Sequence, residues 1–168
     1  YIDHAAATQM APAVATDSGH YSIPELLPVI QVTAVTHRAN PVLPVSIFSR
    51  PPSEASWIAS AHERMFLPLI QRLIPDIVDW HKPFSGAGRN LMFVSIRKDS
   101  PQQARRVLNA LWGLDYFEPS KLIVVVDADV NVQREDEVWF AVSSHAHPGR
   151  DVIFNQGPAG MNDHATPV

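Results

Sequence analysis

The amino-acid sequence predicts an α/β fold, because β-rich segments alternate with segments of helical periodicity after residue 50. Of the 168 residues, 46% are hydrophobic and 18% are charged, which provides enough apolar material for a buried core. The run Lys121–Val126 is almost continuously apolar and β-branched, which is typical of a central strand covered on both faces. We expect one compact domain together with part of a second.

Two strands and a long helix are expected first along the chain. Val29–Thr36 and Val42–Phe48 have strand composition and should be neighbours, and prolines at 51 and 52 then end the pairing. Ser53 or Ser56 can cap the helix that follows, and Pro68 should kink or divide it. An apolar stripe with helical spacing supports this helix: Ile58, Ala61, His62, Met65, Leu69 and Leu73.

The remaining elements alternate in type. Short extended segments are predicted at Ile77–Trp80 and Leu91–Ile96, the second of them buried. A helix should begin at Ser100, with Pro101 at its first position and Gln103 completing a capping box, and should bury Ala104, Val107, Leu108 and Leu111. Another helix should run from Glu135 to about Ser143 with Val138, Ala141 and Val142 inward. A last strand is expected at Asp151–Phe154.

Composition excludes several classes of function. A formal net charge of -4 and the lack of a basic run with aromatics argue against nucleic-acid binding. The absence of cysteine excludes disulfide scaffolds, thiolate zinc sites and cysteine nucleophiles, and it fits a cytoplasmic setting. The apolar runs are too short to span a bilayer, so no transmembrane segment is expected. The start at Tyr1, without an initiator Met, suggests a fragment or a trimmed chain.

One cluster of oxygen ligands stands at the end of a predicted strand. Asp127, Asp129 and Asn131 alternate there, where they could hold a hard cation or a nucleotide, or could instead cap the following turn and helix. Val132 and Val138 replace the Gly and Glu that an EF-hand needs. His145 and His147 lack a third ligand at a recognisable spacing and should form a solvated helix end, so no zinc site is expected.

Three stretches of the sequence are similar to signatures of the UbiD-type decarboxylases, the carboxy-lyases that use prenylated FMN. They occur in that family's order, and weaker matches fill the gaps between them, so that the resemblance covers nearly the whole chain. The three stretches are Val32–Arg38, Arg50–Glu54 and Lys121–Val132. Together they identify the chain with the C-terminal half of that family.

The resemblance implies a fold and a reaction. Residues 1–50 would be part of a split β-barrel flavin-binding domain, and residues 51–168 an α/β layered domain that supports oligomerisation, so a homo-oligomer is expected. Family members decarboxylate aromatic or unsaturated carboxylic acids with prenylated FMN and a divalent metal, while an Arg and two acids manage the proton. The Arg, the metal ligands and most flavin contacts match nothing in this chain, so the chain alone is expected to bind no cofactor.

The resemblance also assigns candidate site residues. The family's first catalytic acid aligns with Ala13, which cannot transfer a proton, and the second aligns with Asp17. Ala55 and Ala59 match positions that line the substrate cavity, although small residues on a packed helix face would look the same.

Three functions therefore stay open at the level of sequence. The chain is a portion of a decarboxylase, or an inactive scaffold or regulatory subunit that acts through oligomerisation, or an independent cation- or nucleotide-binding domain that uses Asp127 and Asp129.

Overall fold

The computed structural model describes residues 7–16, 18–47, 49–87, 90–114 and 120–156. Its elements are β1 (Thr8–Met10), β2 (Leu26–Pro28), α1 (Glu54–Leu73), β3 (Ile77–His81), β4 (Leu91–Ile96), α2 (Gln103–Trp112), β5 (Leu122–Asp127), α3 (Glu135–His145) and α4 (Pro148–Asp151). This mixture of strands and helices confirms the α/β class. In the described ranges, no helix combines the length and apolar character that crossing a membrane requires.

Strand β4 is the centre of the main sheet, whose order is β3-β4-β5. It pairs antiparallel with β3 and parallel with β5, and all six of its residues are buried, as the sequence predicted for Leu91–Ile96. The strand predicted at residues 121–126 is confirmed as β5, and Ile123 and Val126 enter opposite clusters as expected of a strand covered on both faces, but its predicted central place in the sheet was wrong. Among the described strands, β5 pairs with β4 alone and lies at the edge of the sheet, and Leu122 at its start is half exposed.

Alternate residues of β4 enter two different cores. Met92, Val94 and Ile96 face a cluster with Ile70 of α1 and with Val107 and Leu111 of α2. Leu91 and Phe93 face the opposite cluster, which contains Val126, Val132 and Val138. This period of two places helices on both sides of the sheet. The inward residues predicted for α2 and α3 are confirmed.

Helix α1 begins after Ser53, where the Ser56 hydroxyl accepts the Ser53 N–H at 3.2 Å, and continues through Pro68 without a break. Its buried residues are Ser56, Glu63 and Ile70, seven residues apart. The apolar stripe noted in the sequence lies on the outer side instead, with Met65 71% exposed.

Polar contacts to β3 explain this orientation of α1. Glu63 is hydrogen-bonded to His81, and the Gln71 side chain donates to the Val78 carbonyl at 2.9 Å. These contacts turn the helix so that Leu67 and Ile70, rather than the outer stripe, complete the apolar packing against the sheet.

Two further sequence predictions were wrong in the described residues. Residues 29–36 and 42–47 form no strand and are exposed, because no neighbouring strand supplies their hydrogen bonds; Phe48 lies outside the description. Residues 152–156 are irregular because α4 ends at Asp151, whose carboxylate accepts the His147 N–H at 2.8 Å. Helix α2 begins at Gln103, slightly later than predicted, but the Gln103 side chain accepts the Ser100 N–H at 3.1 Å, as expected for a capping box.

Two neighbouring positions on α1 test its orientation. Replacing Ile70, 5% exposed, with Ala should lower the free energy of unfolding by about 2–5 kcal/mol, because the change leaves a cavity. Leu69→Ala, at a position 51% exposed, should change it by about 0.5 kcal/mol or less. Urea unfolding of both variants measures the difference, and equal losses would contradict the described packing of α1.

Candidate functional site

A cleft of about 420 Å³ opens between α1, the end of β3 and the start of α3. It combines aromatic walls with charged and polar groups from distant parts of the sequence. The lining residues are Trp57, Ser60, Glu63, Arg64, His81, Pro83, Phe84, Gln133 and Glu135. The convergence of such groups in a concave surface makes this cleft the candidate site.

Glu63 is the most unusual residue of the cleft, because its carboxylate is only 2% exposed on the packing face of a helix. Its Oε2 lies 2.8 Å from His81 Nδ1, and its Oε1 accepts the Lys82 N–H at 3.0 Å. Burial of a carboxylate is unfavourable unless hydrogen bonds replace those of water. Here the two hydrogen bonds also join α1 to the end of β3.

A second network fixes the neighbouring rim. Arg64 lies 2.7 Å from Asp79 Oδ1 and also donates to the Trp80 carbonyl. The Gln133 amide donates to Asp79 Oδ2 at 3.0 Å and to the same carbonyl at 3.3 Å. The residues between β5 and α3 are thereby held against β3.

The opposite walls are aromatic. The Trp57 and Phe84 rings meet edge to face, with centroids 5.2 Å apart and planes at 84°. Beside them, Glu135 Oε1 accepts the Ser85 hydroxyl at 2.7 Å and the Trp139 indole N–H at 3.2 Å. The 3-10 turn Phe84–Gly86 is therefore connected to both α1 and α3.

Of the residues assigned by resemblance, those that the structure describes do not line this cleft. Asp17 lies outside the described residues, and Ala13 is exposed before β2. Ala55 and Ala59 are half-buried, one helical turn apart on α1, and are not among the lining residues of the cleft. Their role in a substrate pocket stays a prediction.

Sequence reasoning missed the pair formed by Glu63 and His81. One signal was available: Glu63 lies seven residues after Ser56 and seven before Ile70, on the same face of the helix. It pointed to a buried acid but not to its partner, which lies 18 residues further along the chain.

The cluster after β5 makes structural contacts. Lys98 Nζ lies 3.2 Å from the exposed carboxylate of Asp127, and Asn131, rather than Asp127, accepts the backbone N–H of Gln133 at 3.0 Å. Across the described ranges, no group of three His, Cys, Asp or Glu residues could hold a metal ion. The turn-capping interpretation of this cluster is therefore favoured, with Asn131 as the cap.

Two exposed ion pairs shift pKa values away from the cleft. A hydrogen bond from Arg134 lowers the pKa of Asp136, and one from Arg150 lowers the pKa of Asp151. Both pairs lie at the surface around α3 and α4. His145 ends α3 as expected, exposed and 3.1 Å from the Ala141 carbonyl.

A family model described as "3-octaprenyl-4-hydroxybenzoate carboxy-lyase C-terminal domain", UbiD_C, matches residues 56–168. An uncharacterized protein of Archaeoglobus fulgidus is 43% identical over 149 residues, which are 88% of this chain and 31% of that protein. One of Aquifex aeolicus is 41% identical over 149 residues, 89% of this chain and 31% of its own length. The chain thus spans about a third of these relatives.

Two solved structures show a similar fold. An evolved dimeric form of the UbiD-class enzyme HmfF from Pelotomaculum thermopropionicum, in complex with prFMN, is 29% identical with a TM-score of 0.69. The match covers 88% of this chain and 34% of that one. Vanillic acid decarboxylase of Sedimentibacter hydroxybenzoicus is 21% identical with a TM-score of 0.81, over 95% of this chain and 34% of its own, and supports the fold alone.

Removing the buried acid tests how much it contributes to stability. Glu63→Ala should lower the free energy of unfolding by about 2–4 kcal/mol, because the His81 ring and the Lys82 N–H lose their acceptor. Glu54→Ala, at an exposed position in the first turn of α1, should cost about 1 kcal/mol or less. Denaturant unfolding compares the two, and similar losses would mean that the pair with His81 contributes little.

The exposed pair of Asp127 and Lys98 should be weak. Asp127→Asn should lower the free energy of unfolding by about 1 kcal/mol or less, and 1 M salt should shrink the effect because it screens the charges. Thermal melts with Mg²⁺ and Ca²⁺ provide the control. A rise in melting temperature that the substitution abolishes would instead support a cation site.

Proposed function

The chain belongs to the UbiD carboxy-lyase family, and we propose that it is a portion of a decarboxylase acting on an aromatic or unsaturated carboxylic acid with prenylated FMN. The family match over residues 56–168 carries this proposal. The likeness to a UbiD-class enzyme in complex with prFMN supports the choice of cofactor. When bound, the prenylated flavin would accept the electrons released as carbon dioxide leaves.

In such an enzyme, the chain would contribute to two domains. Residues 1–50 would complete a flavin-binding split β-barrel, and residues 51–168 would form the α/β domain that supports oligomerisation. The antiparallel pairing of β1 with β2 is consistent with residues 1–50 being part of a β-barrel. The exposed apolar side chains of Val32, Val35 and Leu43 agree with it too, since unpaired strand segments need neighbours to bury them.

Within that assignment, Asp17 is the acid that would deliver a proton to the carbon that loses carbon dioxide. Ala55 and Ala59 would line the substrate pocket, where their small side chains leave room for a bulky acid. The described residues contain no three-ligand metal group, and therefore receive no metal-binding role in this proposal. A divalent metal and the flavin would be held elsewhere in the intact enzyme.

The alternative is an inactive scaffold or regulatory subunit of the same family, acting through oligomerisation. One observation favours it: alanine stands at position 13, where the family has its first acid. Loss of that acid would remove a proton donor while the α/β domain stayed intact.

Intact-mass spectrometry and an activity assay separate these possibilities. The protein from its source should have a mass well above the 18.6 kDa of this chain and should release carbon dioxide from aromatic or unsaturated acids when loaded with prenylated FMN. A larger protein that binds the flavin without releasing carbon dioxide would support the scaffold. A natural mass of 18.6 kDa would contradict the proposed enzyme portion.

The 168-residue chain purified by itself should hold no stoichiometric flavin and should not decarboxylate, because the proposal puts the flavin and metal contacts elsewhere. Absorbance spectroscopy in the flavin region after gel filtration measures this. A flavin band that copurifies at one per chain would contradict it.

Restoring the first acid tests the position of Ala13. In the intact enzyme, Ala13→Glu should raise turnover, since a positioned acid or base contributes about 10²- to 10⁴-fold. Ala13→Gln, which has the same size without the acid, should leave turnover unchanged. If the two variants behave alike while both bind flavin, the match of Ala13 to the acid position is wrong.

A further inference from the structure

The cleft at the end of β3 presents a histidine of fixed orientation. Glu63 Oε2, as a carboxylate oxygen, can only accept a hydrogen bond, so His81 Nδ1, 2.8 Å away, carries the proton of the neutral ring. In that neutral form of the ring, His81 Nε2 is an acceptor. Because the Glu63 carboxylate that binds Nδ1 is buried, the fold itself fixes the orientation of the ring before any ligand binds.

Other polar groups of the cleft also have accepting capacity. The Ser60 hydroxyl donates a hydrogen bond to the Ser56 carbonyl at 3.2 Å, so the lone pairs of its oxygen can still accept. The Gln133 amide nitrogen donates to Asp79 and to the Trp80 carbonyl, so its oxygen remains an acceptor. Glu135 accepts two hydrogen bonds at one oxygen, and a carboxylate has about four accepting positions.

Charge and shape point to the same kind of ligand. The cleft is lined by two carboxylates, Glu63 and Glu135, and by one guanidinium, Arg64, which is already paired with Asp79. Trp57 is 65% exposed and forms the wall with Phe84, so a ring and a positive charge can both meet an aromatic face. The volume of about 420 Å³ suits a small molecule.

We propose that this cleft binds a small organic cation, a protonated amine or amidinium carried on an aromatic ring. The cation would donate to His81 Nε2 and to the Glu135 carboxylate, and its ring would pack against Trp57 and Phe84. This site is separate from the proposed decarboxylation, which assigns no role to these residues, and it does not depend on a flavin.

Titration of the full 168-residue chain with benzylamine, followed by ¹⁵N–¹H NMR, tests the proposal. The indole N–H signal of Trp57, assigned with a Trp57→Phe variant, should shift to saturation. Benzyl alcohol, which has the ring without the charge, should bind about tenfold more weakly or worse, because charge-assisted hydrogen bonds are lost. Benzoate should produce no saturable shift.

Matched variants locate the cation. Glu135→Gln should weaken benzylamine about tenfold, while Asp136→Asn, the same charge change at the next, exposed residue of α3, should leave affinity unchanged. Ser60→Ala provides a second test that leaves the pair of Glu63 and His81 intact. It should weaken binding by a smaller factor.

Three results would overturn the proposal. Equal affinities for benzylamine and benzyl alcohol would show that the charge is not recognised. Equal effects of Glu135→Gln and Asp136→Asn would show only a general surface attraction. A concentration-dependent shift of the Trp57 signal without ligand would show that a second protein surface, not a small cation, occupies the cleft.

Discussion

The burial of β4 on both of its faces is the constraint on which the rest of the α/β region depends. Its residues are shared between two apolar clusters, so helices must cover the sheet on both sides. Neighbouring strands satisfy its backbone on both edges, and β5 lies parallel to it because α2 carries the chain across the sheet. The cleft arises at one end of this arrangement, where the end of β3, α1 and α3 converge.

Polar contacts then decide how α1 packs on this sheet. An apolar stripe would ordinarily turn toward the core, but Glu63 and Gln71 are hydrogen-bonded to β3, and the stripe is left outside. A buried carboxylate is weak support for stability in general, since the cost of desolvating it opposes the hydrogen bonds that it makes. Its effect here is positional: it fixes the rotation of α1 and orients the His81 ring in the cleft. The outer stripe of α1 is one reason to regard the chain as part of a larger UbiD-family protein.

Local patterns in the sequence predicted the elements whose burial depends mainly on their own residues. Helices α2 and α3 were recognised because their apolar period sets which side is buried, and β4 because a continuous apolar run indicates a buried strand. The predicted strands at 29–36 and 42–48 failed in the described residues because a strand needs a partner that local composition cannot supply. The same holds for β5, whose place at the sheet edge is a tertiary property. The pair of Glu63 and His81 was missed because its members meet only after α1 packs on β3. The family was recognised because its motifs are read from the order of residues along the chain, which does not require knowledge of packing.

Native-state hydrogen exchange with mass spectrometry tests whether the α/β layer around β4 is stable by itself while the preceding segment needs neighbouring strands. We predict that amides of residues 91–96 exchange only through global unfolding, and that amides of residues 29–47 exchange nearly as fast as in an unfolded chain. Comparable protection of both segments in the isolated chain would contradict this prediction. That result would mean that residues 29–47 form paired strands within this chain.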